Sequence, residues 1–178
     1  MTALLEGRSA APVATLLRDG GVPLGDVFTY ASSLYFRGKL AYARRFARPP
    51  AGTPGILVIA PGAGLVSADQ TVTIADLAGI AAVPVDVRDA RFTTPLIRDA
   101  STLAGTLDDG DEVVLLGSLA PRKYLDVLTP VFADRLVVPR VFVGMGDMQR
   151  GSVLLRRAAA GRRLAYVRAG AVRADGPA

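Results

Sequence analysis

Two rhythms of apolar and polar positions run along this chain. From 27 to 47, Phe28, Ala31, Tyr35, Tyr42 and Phe46 recur at the spacing of one helical face, while Arg37, Arg44 and Arg48 share another. The spacing predicts one amphipathic helix over 27–47, stopped by Pro49-Pro50. Gly38 falls in its middle, at a cost of about 1 kcal/mol relative to Ala. It either admits a closely packed neighbour or breaks the helix. Further helical stripes fall at 96–107, after Thr94 as N-cap and Pro95 as first helical residue, at 121–132 despite Pro130, and at 153–160 before Gly161. The other rhythm is the short continuous apolar run. Runs at 56–60, 81–87, 112–116 and 135–143 read as strands, the last interrupted by Pro139, and 164–167 reads as an edge strand.

Strands alternating with helices predict an α/β fold of three layers: a mostly parallel sheet of four to five strands with helices on both faces. Residues 1–26 read as a turn-rich segment packed on that domain, with a short helix over 12–18, Ser9 as its N-cap and Gly20-Gly21 as its stop. Residues 27–168 read as a single domain and 169–178 as a flexible tail. In such sheets ligands sit at the carboxyl ends of the strands, which directs attention to the loops after residues 60, 117 and 143.

Composition narrows the chemistry. The 178 residues contain no His, Cys, Trp or Asn. Disulfides, thiolate nucleophiles, zinc knuckles and a Ser-His-Asp triad are therefore excluded. Asp, Arg, Tyr, Ser, Thr, two lysines and backbone N–H groups remain. No apolar run approaches the roughly 20 residues of a membrane span, and the start lacks a basic-then-apolar leader, so the expectation is a cytoplasmic protein without membrane contact. The charge of +5 is uneven: from Arg135 onward nine arginines face only Asp147 and Asp175. A basic end of this kind attracts phosphate or nucleic acid, or else is a solvated surface.

Three loops carry candidate chemistry. In the first, Pro61-Gly62-Ala63-Gly64 precedes Ser67 and Asp69, and Gly62 to Ser67 reads GxGxxS. Glycines after a strand let N–H groups approach an anion. Asp86 then ends the next predicted run at a spacing near that of a dinucleotide fingerprint, although the third glycine is missing. A plain tight turn is the alternative. In the second, Gly144, Gly146, Asp147, Arg150, Gly151 and Ser152 crowd one loop; it echoes a phosphate-binding loop without its Lys. There Asp147 offers a general base or a helix cap, and Arg150 a clamp for phosphate or carboxylate. In the third, Ser118, Arg122 and Lys123 join a strand end to a helix start, where two cations suit an anion or simply face solvent. Asp108, Asp109 and Asp111 read as a turn rather than a cation loop. Nothing in the pattern calls for a metal or a cofactor.

LYFRGKLAYARRFA at 34–47, APGAGLVSADQ at 60–70, VVLLGSLAPRKYLDVL at 113–128 and PRVFVGMGDMQRG at 139–151 together resemble an uncharacterised bacterial protein family with an SAxYGL-type strand-turn motif. That pattern is similar to uracil-DNA-glycosylase-like α/β domains, including those attached to base-modifying enzymes. The resemblance implies that the 61–64 loop faces a base or sugar, with Asp69 as the nearest acid, and that the loops at Gly117-Ser118 and 144–150 complete the cleft. The motif's Tyr is replaced here by Ala63, and the glycosylase Asn and His have no counterpart.

The leading expectation is a protein that binds nucleotide or nucleic acid through strand-end glycine loops. Gly62, Gly64, Gly144 and Gly146 would supply donors, Arg122, Lys123 and Arg150 would hold phosphate, Ser67 and Ser118 would also contact the ligand, and Asp69 or Asp147 would handle protons. The alternatives are a small-molecule enzyme on a phosphorylated or carboxylated substrate and a non-catalytic protein-interaction module. A homo-oligomer is compatible with each.

Overall fold

Pro12 opens the first helix, α1 (Pro12–Asp19), at the position where a missing N–H costs nothing. The computed structural model describes residues 12–31, 33–119 and 122–172; the Ser9 cap and the last six residues lie outside the described residues. The amides of Gly20 and Gly21 close α1 on the carbonyl of Leu16, as the glycine pair predicts. There follow β1 (Val22–Pro23), α2 (Leu24–Ala31) and α3 (Ser33–Phe46). The stretch read as one helix over 27–47 is thus two, and the first begins earlier. Val27 and Leu40 are buried in one apolar cluster while Tyr35 and Tyr42 are buried in another. Helix α3 therefore lies between two cores, with apolar residues on two sides.

The expected parallel sheet is not what forms. β2 (Leu57–Ala60) pairs antiparallel with β3 (Gly64–Ser67) in a tight hairpin, with Ala60 opposite Gly64. β4 (Thr71–Val72) pairs antiparallel with β1. β5 (Val113–Val114), β6 (Leu136–Pro139) and β7 (Tyr166–Arg168) make a three-stranded sheet in which only β5 and β6 run parallel. The three-layer architecture of four to five mostly parallel strands is corrected accordingly: the chain is a mixed helix–strand protein with small separate sheets. The physical reason is local. The partner of β2 is its immediate successor, so no helix crosses over between them. Burial in β2 alternates, as in a strand with one face inward, rather than being continuous.

The apolar run at 81–87 forms no strand. Helix α4 (Ile74–Ala81) occupies the start of it, and 82–89 is irregular, with Pro84 inside. Helix α4 is set by a capping box: the Thr73 side chain accepts from the Asp76 amide while Asp76 accepts from that of Thr73. Helix α5 (Ala90–Ala104) starts a turn before the Thr94-Pro95 signal because Asp89 caps it, accepting from the Arg91 amide at 2.9 Å. Pro95 sits within it. Helix α6 (Leu125–Phe132) contains Pro130 and ends at Ala133, whose φ of 48° lies in the region glycine favours. Residues 140–142 turn as a 3-10 segment, and α7 (Asp147–Ala159) begins inside the stretch read as a glycine loop over 144–152. The segment at 169–171 read as tail is a 3-10 turn with Ala169 fully buried.

The most extensive helix packing is α3 on α7. It turns on two glycines: a Cβ on Gly38 would stand 2.6 Å from the Gly151 carbonyl oxygen, and one on Gly151 would stand 2.8 Å from the Tyr35 Cα. Of the two readings of Gly38, close packing is the one realised. Beyond this contact Tyr42 accepts from the Leu164 amide at 2.8 Å and shares a 2.7 Å hydrogen bond with the Tyr166 hydroxyl, fixing β7 to α3. Among the described residues no helix is long and apolar enough to cross a membrane.

Candidate ligand cleft

The first glycine loop is a hairpin turn. The Ala63 amide donates to the Ala60 carbonyl at 2.9 Å, Pro61 holds the first central position, and Gly62 holds the second with φ of 82°. That is the residue order of a type II turn, which needs positive φ where Gly62 stands. Gly64, at φ of 88°, is required for a second reason. A Cβ there would run into the Asp99 carboxylate and lie 2.8 Å from the Pro95 carbonyl oxygen. The close approach lets the Leu65 amide donate to Asp99 Oδ2 at 2.9 Å, which ties the hairpin to α5.

This clamped turn forms one wall of an open cleft of about 860 Å³. Pro61, Gly62 and Ala63 stand at one side, and Val66 and Val72 behind them. Ala75, Gly79 and Ile80 of α4, then Val83, continue the apolar lining. Helix α5 closes the other side with Arg91, Thr94, Pro95 and Arg98, four residues that fall on one helical face. Gln70 and Asp76 complete the polar rim.

The cations of the rim are held by neighbouring acids, one the N-cap of α5 and one within it. Arg91 forks onto Asp89, with Nη2 2.7 Å from Oδ2 and Nε 3.1 Å from Oδ1. Arg98 Nε donates to Asp99 Oδ1 at 2.7 Å. Both side chains are about two-thirds exposed, at 64% and 67%. Nη1 of Arg91 and both Nη atoms of Arg98 have no hydrogen-bond partner among the described residues. A guanidinium carries five N–H donors, so each can take a second acceptor without releasing the first. The Arg98 hydrogen bond, opposed by burial and helped by the Leu65 amide, holds the Asp99 carboxyl below the usual range. The Thr73 amide and hydroxyl lower that of Asp76 likewise. These acids are anions at neutral pH and are committed to structure.

Of the residues singled out from sequence, Gly62 lines the cleft and Gly64 supports it from beneath. The others lie elsewhere. Ser67 Oγ accepts from the Asp69 amide at 3.3 Å, and the Asp69 carboxylate stands 3.5 Å from Arg44, which also faces Asp26. Asp86, placed at a strand end by the dinucleotide reading, sits in the irregular 82–89 stretch. There Arg88 bonds it and lowers its carboxyl to about 2. With a hairpin turn for its glycine loop and no strand before Asp86, the dinucleotide fingerprint has no structural counterpart.

Ser118, Arg122 and Lys123 do not line the cleft. Arg122 donates to the Val172 carbonyl at 2.8 Å and to Asp126 at 3.1 Å, so it anchors the last described residues. Lys123 lies over the Tyr124 ring. Gly144 and Gly146 are exposed, and Gly146 is the N-cap of α7. The Asp147 side chain lies outside the described residues. Arg150, expected to clamp an anion at the surface, is 5% exposed and donates to the Phe142 carbonyl at 3.1 Å while lying over the Phe142 ring. It ties α7 to the 3-10 segment before it. The glycine loops at 61–64 and 144–151 therefore do not share this cleft.

Arg91, Arg98 and Gln70 were not singled out from sequence, and Thr94 was read only as a helix cap. The signal for the α5 residues was the spacing 91, 94, 95, 98, which was hidden by starting the helix at Thr94; Gln70 had none. Among the described residues no group of three or more acids could hold a metal ion. No protein-family model matches the chain, and no curated protein or solved structure matches it either.

Proposed function

We propose that this protein binds a nucleotide, or a similarly built molecule with a flat apolar body and a phosphate, in the cleft between the 61–64 turn, α4 and α5. The observation that carries the reading is the division of the lining: an apolar floor from Ala63 to Val83, and a rim whose cations, Arg91 and Arg98, lie two helical turns apart on one face. A base or similar ring would cover the floor, Gln70 and Thr94 would meet its polar edges, and the two guanidiniums would meet phosphate oxygens. The acids around the cleft are held as anions by capping and ion-pair bonds, which suits positioning of cations rather than proton transfer. The reading is therefore of binding, with no catalytic step assigned.

The test is a titration of mononucleotides and sugar phosphates followed by amide chemical shifts. Shifts are expected at Ala63, Gln70 and Thr94. The double variant R91A/R98A should weaken binding by at least about tenfold, as for the loss of one charge-assisted contact. If no nucleotide or sugar phosphate moves these resonances at millimolar concentration, the reading fails.

A further inference from the structure

We propose that the shared end of α3 and α7 is a docking surface for the phosphate backbone of a nucleic acid, separate from the cleft. The two helices run in the same direction. Gly38 meets Gly151 along their length, and at their ends a Cβ on Gly161 would lie 3.3 Å from Arg45 Nη2. The Arg162 amide closes the end of α7 on the Arg157 carbonyl, and Leu164 reaches back to Tyr42. The ends of elements more than a hundred positions apart thus meet, and arginines cluster along them in the sequence: Arg45 and Arg48 at α3 and its exit, Arg156 and Arg157 in the last turn of α7, and Arg162 and Arg163 beyond it, with Arg163 over the Tyr166 ring.

Five of these six are exposed, and Arg157 is partly so. None forms an ion pair with a carboxylate among the described residues, whereas Arg44, Arg88, Arg91, Arg98, Arg122 and Arg168 do. Helix dipoles do not account for the number. Two helix C-termini carry about half a negative charge each, against six guanidiniums. The remaining positive field is not neutralised within the described residues, so it favours a polyanion that releases its own counterions on binding. Arginine forks match phosphate oxygens in pairs. A membrane surface fits less well, because the large exposed apolar residues lie elsewhere; Val143 and Met148, for example, are at the opposite end of α7.

The test uses the full chain with labelled single-stranded and duplex oligonucleotides, by fluorescence anisotropy at several salt concentrations. Wild type is expected to bind, with affinity falling steeply as salt rises. The triple variant R45E/R162E/R163E should bind at least about tenfold more weakly at low salt, with its salt slope reduced by about 0.9 per lost duplex phosphate contact. R88E, a charge reversal on another surface, should stay within about threefold of wild type, since it removes no phosphate contact. Circular dichroism checks that the triple variant folds. Should it not, R162E alone, outside any helix and exposed, gives the same reading with a smaller effect. No binding by wild type at low salt overturns the proposal, as does wild-type affinity in the patch variants. So do tighter binding to phosphatidylserine vesicles, or displacement of the oligonucleotide by polyglutamate at equal charge. Cleft binding is scored separately, because R91A/R98A leaves this surface intact.

Discussion

Gly38 and Gly151 face each other at the crossing of α3 and α7, so close that a methyl group on Gly38 would stand 2.6 Å from the Gly151 carbonyl oxygen. Intrinsic propensity favours Ala over Gly in a helix by about 1 kcal/mol. Here the packing outweighs it, since the obstructing atoms are backbone and cannot rotate away. Gly38→Ala and Gly151→Ala are each expected to destabilise the fold by a net amount of about 2 kcal/mol, within the range for overpacked sites. Urea unfolding would measure it. A rise in stability would mean that the helices can separate freely.

A few residues further along, Tyr42 holds the end of the same helix to β7. Its oxygen accepts from the Leu164 amide and is bonded to the Tyr166 hydroxyl, and burial raises the Tyr166 pKa above its ordinary value of 10.0. Tyr42→Phe keeps the ring and leaves both partners unanswered. A loss of about 2 kcal/mol is expected, as for an unsatisfied buried donor. Tyr166→Phe leaves the Leu164 bond intact and should cost less. Equal losses in the two variants would contradict this ordering.

The helical packing and the local punctuation were more legible in the sequence than the sheets. Gly21, Pro12 and Gly161 sit where their stereochemistry demands, and 61–64 is the tight turn that Pro-Gly suggests. The sheet was misread because continuous apolar runs do not state their partners. β2 looked like a core strand waiting for a crossover, yet 64–67 returns beside it at once. The run at 81–87 is apolar because Val83 and Val85 pack against the larger core from an irregular segment. Arg150 could not be placed by residue type alone: the same guanidinium suits an anion at the surface and a carbonyl in the interior.

Asp99 couples the hairpin to acid stability. Its carboxyl titrates below the ordinary value of 3.8, chiefly because Arg98 donates to it and also because the Leu65 amide does. The stabilisation is therefore full above the unfolded value and is lost as pH falls through the lowered folded value. Asp99→Asn should reduce stability at neutral pH by about 1 kcal/mol, mainly through the weakened Leu65 hydrogen bond, since the exposed Arg98 pair adds little. It should also flatten the decline of stability below pH 4 or so relative to wild type. Urea midpoints measured from neutral pH downward would show both, and a parallel offset at every pH would refute the assignment.

Ala133 closes α6 with φ of 48° and ψ of −126°, a conformation that L residues avoid. It is exposed, so its methyl group fills no core space. Ala133→Gly is expected to raise stability by about 1 kcal/mol, the lower end of the strain carried by such residues. A higher melting temperature with an unchanged circular dichroism spectrum is the expected outcome.

Arg150 separates an anion clamp from a structural tie. A clamp at the surface would lose ligand affinity on substitution and keep its stability. The structure gives the reverse: a guanidinium 5% exposed, bonded to the Phe142 carbonyl and lying over the Phe142 ring. Arg150→Met retains much of the apolar stem but removes one of the two donors to that carbonyl, which the Met145 amide also reaches at 3.2 Å. A destabilisation of about 1–2 kcal/mol follows from the lost charge-assisted hydrogen bond and ring contact, while nucleotide titration of the folded variant should match wild type. R91A/R98A should behave oppositely, with weakened binding and little change in stability, because exposed ion pairs contribute about 0–1 kcal/mol. If Arg150→Met instead abolished nucleotide binding in a folded protein, the ligand would have to reach the 144–151 region, and the cleft beside the hairpin would not be its site.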